Sequence, residues 1–222
     1  MSEEQGPPQG TRRPPPARVR LIGQGASRVV ARWPVLWPLL RRPVRRFFDR
    51  LAGGWDRRVD PDSAQHLAAL VAALDRLETA PRRALDIGTG TGSAALEIAR
   101  RYPDAQVVGV DISPLMVEAA RAKLRSDLAG RVEFSVADAG SLPFEDSGFD
   151  LVTQVSVPVF FDEIARVLGP GGHAIIVSSW GAATPFHTPD RLLQAGFERR
   201  GLETVGSGSG GRGTFFIARR PG

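Results

Sequence analysis

From Arg83 to Val177 short apolar runs alternate with amphipathic ones, and that rhythm leaves the chain very few folds. RALDIG reads as a strand and SAALEIARRY as a helix. QVVGVDI is a strand, PLMVEAARAKLRSDL a helix, and RVEFSVAD and FDLVTQV are strands. FFDEIARVL is a helix, HAIIVSS a strand and PDRLLQAGFERRG a last helix. Strands alternating with helices require right-handed crossovers and a mainly parallel sheet. Such strands are covered on both faces, which accounts for near-continuous apolar runs such as AIIV. The ending breaks the rhythm. Only the loop GSGSGGRG separates the strands around LETVGSG and GTFFIARR, too short for a crossover helix, so an antiparallel hairpin is expected. The fold class is therefore α/β, a Rossmann-like sheet with helices on both faces.

The first joint of this alternation is ALDIGTGTGSAALEIA. A strand, a glycine-rich bend and a helix make a nucleotide-binding arrangement, because the glycines let the backbone approach a ligand and the helix start offers free amide groups. The next strand ends in Asp111, where a carboxylate can accept hydrogen bonds from both hydroxyls of a ribose. A dinucleotide fold would call for G-x-G-x-x-G, whereas this bend is G-x-G-x-G, through Gly88, Gly90 and Gly92. It also carries Asp86, whose charge repels a pyrophosphate and suits an ammonium group. A third acid, Asp138, closes the next strand, where it can meet a purine amine.

DIGTGTG, VVGVDIS, ADAGSLPFEDSGFDLV and EIARVLGPGGHAIIV resemble, in order and spacing, the successive motifs of class I S-adenosylmethionine-dependent methyltransferases. The likeness covers roughly residues 46–220 and is nearest to the branch containing the quinone-biosynthesis enzymes. The resemblance implies seven strands in the order 3-2-1-4-5-7-6 with the seventh antiparallel. It implies S-adenosyl-L-methionine as cofactor and S-adenosyl-L-homocysteine as product. Asp86, Gly88, Thr89, Gly90 and Gly92 would line the methionine end. Asp111 would bind the ribose, Ile112 and Met116 would flank the adenine, and Asp138 and Ala139 would face its edge. Gln154 would lie near the sulfonium, and Pro170-Gly171-Gly172 resembles the turn into strand five. FFDRLAGGWDRRV is similar to the family's opening helix, with Trp55 where a tyrosine is usual; the indole N–H can replace the hydroxyl toward the cofactor carboxylate, or Trp55 can simply pack.

The implied activity is methyl transfer to a small, apolar or aromatic acceptor. A base is needed only for a protonated acceptor, and His187, in the loop WGAATPFHTPD, is the candidate, against a plain loop histidine. The turn D/N/S-P-P-Y/F that base-directed amine methylation uses is absent from TQVSVPVF, so nucleic acid is disfavoured as acceptor. Without cysteine, thiolate metal sites and a cysteine nucleophile are excluded, and three scattered histidines argue against a metal site.

Charge divides the chain. Residues 1–60 hold 13 arginines against 5 acids, whereas the remainder is mildly acidic. Two domains are expected: a basic, Pro/Arg-rich, partly disordered extension over 1–45 and the methyltransferase domain over 46–222. Pro34, Pro38 and Pro43 should prevent one long helix there. Trp33, Trp37 and Trp55 are costly to leave in water, so this segment should pack on the domain, a membrane surface or a partner. One expectation is that residues 30–58 roof the cofactor and build an apolar acceptor pocket. The alternative is a cofactor-binding regulatory protein that docks on RNA, membrane or protein through the basic arm. Peripheral membrane contact and a homodimer both stay open, and a cytoplasmic setting is the default expectation.

Overall fold

The computed structural model describes residues 14–59 and 64–222. Seven strands form one sheet: β1 (Arg83–Ile87), β2 (Gln106–Asp111), β3 (Val132–Val136), β4 (Phe149–Val155), β5 (Leu168–Ser178), β6 (Glu203–Gly210) and β7 (Gly213–Arg219). Their order is β3-β2-β1-β4-β5-β7-β6, parallel except for β7, which runs antiparallel to both neighbours. This is the order implied above. Each face buries its own apolar cluster. Ala84, Val107, Phe134, Leu151, Ile175 and Ile217 pack under α4 (Ala64–Leu74), α5 (Ser93–Arg101) and α6 (Pro114–Ala122). Leu85, Val110, Val152, Ile176 and Phe216 pack under α7 (Phe161–Val167) and α8 (Asp190–Glu198). Both clusters arise from the period-two alternation of each strand.

The hairpin departs from the expected loop. The Gly/Ser run is strand rather than loop: β6 continues through Gly210, which pairs with Gly213, and the turn is only Gly211-Arg212. The reason is tertiary. α4 lies so close to this hairpin that a Cβ at Gly210 would sit 2.3 Å from the Ala68 carbonyl oxygen. The glycines admit a helix rather than a flexible loop. The helix expected through Leu128 likewise stops early, at Ala122.

The N-terminal segment forms α1 (Ala17–Arg32), a single 3₁₀ turn over Pro34–Leu36, α2 (Trp37–Ala52) and α3 (Trp55–Val59). Pro34 separates the first two helices, as its fixed φ and missing N–H require. Pro38 sits in the first turn of α2, where no donor is needed, and Pro43 is tolerated inside it. α2 runs uninterrupted through residue 45. Of the extension expected to be partly disordered, residues 1–13 lie outside the described residues, and α1 already begins at Ala17. Among the described residues no helix is long and apolar enough to cross a membrane.

Candidate functional site

A cavity opens beyond the carboxyl ends of β1, β2, β4 and β5, the position where open α/β sheets leave room for ligands. Its floor is the glycine bend. Gly88, Gly90 and Gly92 all have positive φ, at 72°, 54° and 85°, a conformation that costs a side-chain-bearing residue but not glycine. The Gly88 and Thr89 N–H groups both donate to the Val110 carbonyl, at 2.8 and 2.9 Å, which pins the bend to the end of β2. Gly92 itself caps α5 rather than lining the cavity.

Asp111 is fixed by the same bend. One carboxylate oxygen accepts the Gly90 N–H at 3.0 Å and the other the Ser113 N–H at 2.9 Å. Burial raises its pKa, against the lowering effect of those two amides. Ile112, Met116 and Ala139 line the cavity beside it.

Asp86 is the second acid of the cavity floor, and burial shifts it too. It is 1% exposed, and its carboxyl is pushed up to about 6, chiefly by burial, with the charge of Asp111 adding to the effect. Thr153 donates to one oxygen at 2.8 Å. The other oxygen is buried with no partner among the described residues. An unpaired buried carboxylate oxygen on a cavity wall is an acceptor waiting for a donor, and a cation is the donor that would restore the ordinary ionised state.

Three predicted residues take other surroundings. The Asp138 carboxylate turns toward the N-terminal helices: Trp37 Nε1 donates to one oxygen, Arg41 contacts the other at 3.0 Å, and the Gly140 N–H adds a third donor. Its neighbours Ala137 and Ala139 line the cavity in its place. Gln154 is fully buried under the lining and donates to the Pro158 carbonyl at 3.2 Å. His187 lies behind the cavity wall, its Nδ1 3.1 Å from Ser178 Oγ, and burial lowers its pKa.

The roof comes from the N-terminal helices. Trp37, Val44 and Phe48 of α2 and Trp55 of α3 project into the cavity, where they face Phe160, Trp180 and Phe186. Phe48 packs edge-on against Trp55, and Trp37 edge-on against Phe160. A methyl group on Gly90 would come within 3.8 Å of Trp55 Nε1, so the indole N–H lies over the glycine bend. Polar latches hold the roof down. Thr91 Oγ1 donates to Asp56 at 2.6 Å, Lys123 bridges Thr91 and Asp56 at 3.0 and 3.1 Å, and Ser113 Oγ donates to Asp49. Lys123 is the only lysine in the chain. Lys123→Met is expected to loosen this latch: limited proteolysis should cut between Gly53 and Ala64 several-fold faster, with the midpoint of global unfolding shifted by less than about 1 kcal/mol, as for an exposed ion pair.

Sequence reasoning missed Ser156 and Ser179. Ser156 adopts φ 59°, donates its N–H to the Val177 carbonyl at 2.8 Å, and shares a hydrogen bond with Ser179 Oγ at 3.0 Å. The pair closes the gap between β4 and β5 at the cavity edge. No pattern in the sequence announces it, since two isolated serines carry no spacing signal.

Residues 84–172 match the family model described as a methyltransferase domain. The chain is 33% identical to a demethylmenaquinone methyltransferase of Deinococcus radiodurans over 172 residues, 74% of this chain and 64% of that one. It is 39% identical to a ubiquinone/menaquinone biosynthesis C-methyltransferase of Geotalea daltonii over 131 residues, 54% and 53% of the two chains. The chain is thus similar to class I S-adenosylmethionine-dependent methyltransferases, most directly over residues 84–172. A methyltransferase of Aquifex aeolicus has the same fold, with a TM-score of 0.62 at 18% identity, covering 73% of this chain and 95% of that one. The chain spans about half to two thirds of the length of the curated methyltransferases it matches. The family match begins at Ala84, so the roofing helices lie outside the matched methyltransferase domain.

Proposed function

We propose that this protein transfers a methyl group from S-adenosyl-L-methionine to a small, apolar or aromatic acceptor. The observation that carries the proposal is the pairing of an unpartnered, fully buried Asp86 oxygen with an oriented Asp111 on one cavity floor beneath an aromatic roof. The donor set fits the cofactor. Asp86 would take the ammonium group and Asp111 the ribose hydroxyls, with the glycine bend between them. Ile112, Met116 and Ala139 would flank the adenine. Trp55 would offer its N–H to the carboxylate. The similarity to quinone-biosynthesis methyltransferases supports a small-molecule acceptor over the regulatory alternative.

The cofactor supplies a methyl group on a positively charged sulfur with a good leaving group. The protein's own residues do the positioning. Phe48, Trp55, Trp180 and Phe186 bound an apolar space that excludes water and can hold a flat acceptor against the cofactor. The Ser156–Ser179 pair and His66 supply polar groups at the cavity wall that could orient a hydroxyl or carbonyl of the acceptor. His187 has no place in this scheme while its ring rests on Ser178 behind the wall.

Calorimetry with S-adenosyl-L-methionine, S-adenosyl-L-homocysteine and NAD tests the cofactor assignment. Micromolar binding of the first two and none of NAD is expected, on the order of −8 kcal/mol. Radiolabelled methyl transfer to a panel of phenolic and quinone-like acceptors tests the reaction. Tight binding of NAD alone would overturn the reading, and so would cofactor binding without turnover of any acceptor in the panel.

A further inference from the structure

The outer face of the roof is not finished as an ordinary water-facing surface. The turn between α1 and α2 presents Trp33, Val35, Leu36 and Leu39 to solvent, at 54, 80, 38 and 74% exposure. Leu21 and Ile22 on α1 are exposed at 71 and 74%. Single exposed apolar residues are commonplace, but a tryptophan and three aliphatic side chains within seven positions form a continuous apolar tip. Trp37, in the middle of the same stretch, is 6% exposed and faces the cavity, so the burial that segregates this segment leaves the other four residues outside.

Charge surrounds the tip. Residues 17–52 contain nine arginines and one acid, Asp49. Among the described residues, the ion pairs of this segment are Arg41 with Asp138 and Arg45 with Asp49. Arg32 precedes the tip and Arg42 follows it. Helical geometry then places Arg42, Arg46 and Arg50, spaced by four, in one row on α2 opposite Trp37, Val44 and Phe48. An apolar tip ringed by arginine, with an interfacial tryptophan and helices too short to span a bilayer, has the composition of a segment lying in the headgroup plane. The occupants that compete for this face fit less well. A second copy would bring the same positive charge onto itself, and a nucleic acid would leave the apolar tip uncovered.

The geometry points to the α1–α2 face as a docking surface for an anionic lipid bilayer, with Trp33, Val35, Leu36 and Leu39 entering the interface and the arginines meeting lipid phosphates. The other side of α2 is a wall of the cavity, so the docked protein holds its cavity one helix away from the lipid. The docking itself does not depend on the methyl-transfer reading and can be tested without cofactor.

Full-length protein is mixed with vesicles of phosphatidylcholine alone or with about one third phosphatidylglycerol, and sedimentation and tryptophan emission are read. The protein should partition at least about tenfold more strongly onto the anionic vesicles, with a blue shift that raised salt reverses. In Trp33→Phe most of the blue shift should disappear while binding persists. Val35→Asp/Leu39→Asp should lower partitioning roughly tenfold or more without changing the thermal unfolding midpoint, since both side chains are already in water. Four results would overturn the inference: no partitioning onto anionic vesicles, equal partitioning of the double variant, a dimer in solution that the double variant dissociates, or retention on RNA or DNA that exceeds retention on vesicles.

Discussion

Asp86→Asn should make the ligand-free protein more stable and sharply weaken its affinity for the cofactor. The folded-state carboxyl titrates near 6 against 3.8 for an ordinary aspartate, because it is buried with one oxygen unpaired. Since the folded value lies above the unfolded one, the neutral acid is favoured by folding. Its ionisation is a cost, absent below about pH 4 and complete above about pH 6, and the linkage puts it at about 3 kcal/mol for a shift of this size. Asparagine keeps the Thr153 hydrogen bond through its carbonyl and carries no charge. At pH 8 the variant should therefore unfold about 6–12 °C higher than the parent, and at pH 4 the difference should nearly vanish. Cofactor affinity should fall on the order of 100-fold, as for the loss of a charged hydrogen-bond partner. Parent affinity should itself weaken as pH drops below about 6, when Asp86 takes up its proton. Calorimetry and scanning fluorimetry across this range check all three. A variant that binds as well as the parent, or that gains the same stability at every pH, would remove Asp86 from the role assigned to it.

Gly109→Val should be among the most damaging single substitutions in the sheet. Gly109 stands in register between Asp86 on β1 and Phe134 on β3. Side chains in register on parallel strands share a face, so the Phe134 ring leans across the space that a side chain at 109 would fill. A Cβ there would lie 2.7 Å from two ring carbons and 2.8 Å from Thr89 Oγ1. The ring is 2% exposed and packed in the core of that face. Overpacking of this kind should cost about 3 kcal/mol or more. It should also displace Thr89, and with it the glycine bend, so the residual folded protein should bind cofactor poorly. Urea unfolding of Gly109→Ala, Phe134→Leu and the double variant would show the cause: a combined loss smaller than the sum marks the contact as the source. Strict additivity would mean that the glycine matters for another reason.

These two predictions rest on unequal amounts of tertiary information. The acids at the ends of the first and second strands were apparent from strand–bend–helix order alone. Their place at the cavity follows from where a parallel sheet ends, and local pattern fixes where the strands are. The unpaired oxygen of Asp86 was not apparent, because partnerlessness belongs to the surroundings rather than to the residue. Asp138 makes the same point in the other direction. At its position in the sequence it looks like an adenine contact, yet a tryptophan and an arginine about a hundred residues earlier hold its carboxylate.

Periodicity of apolar residues established the alternating elements, their parallel arrangement and the closing hairpin, since hydrophobic period and loop length are local properties of a chain. The folded molecule alone revealed why the Gly/Ser run is a strand pressed against α4, that Trp37 and Phe48 point inward while Val35 and Leu39 point outward, and that His187 rests on Ser178. Each of those depends on contacts between residues far apart in the chain, and such contacts are set by packing, which no short window of residues encodes.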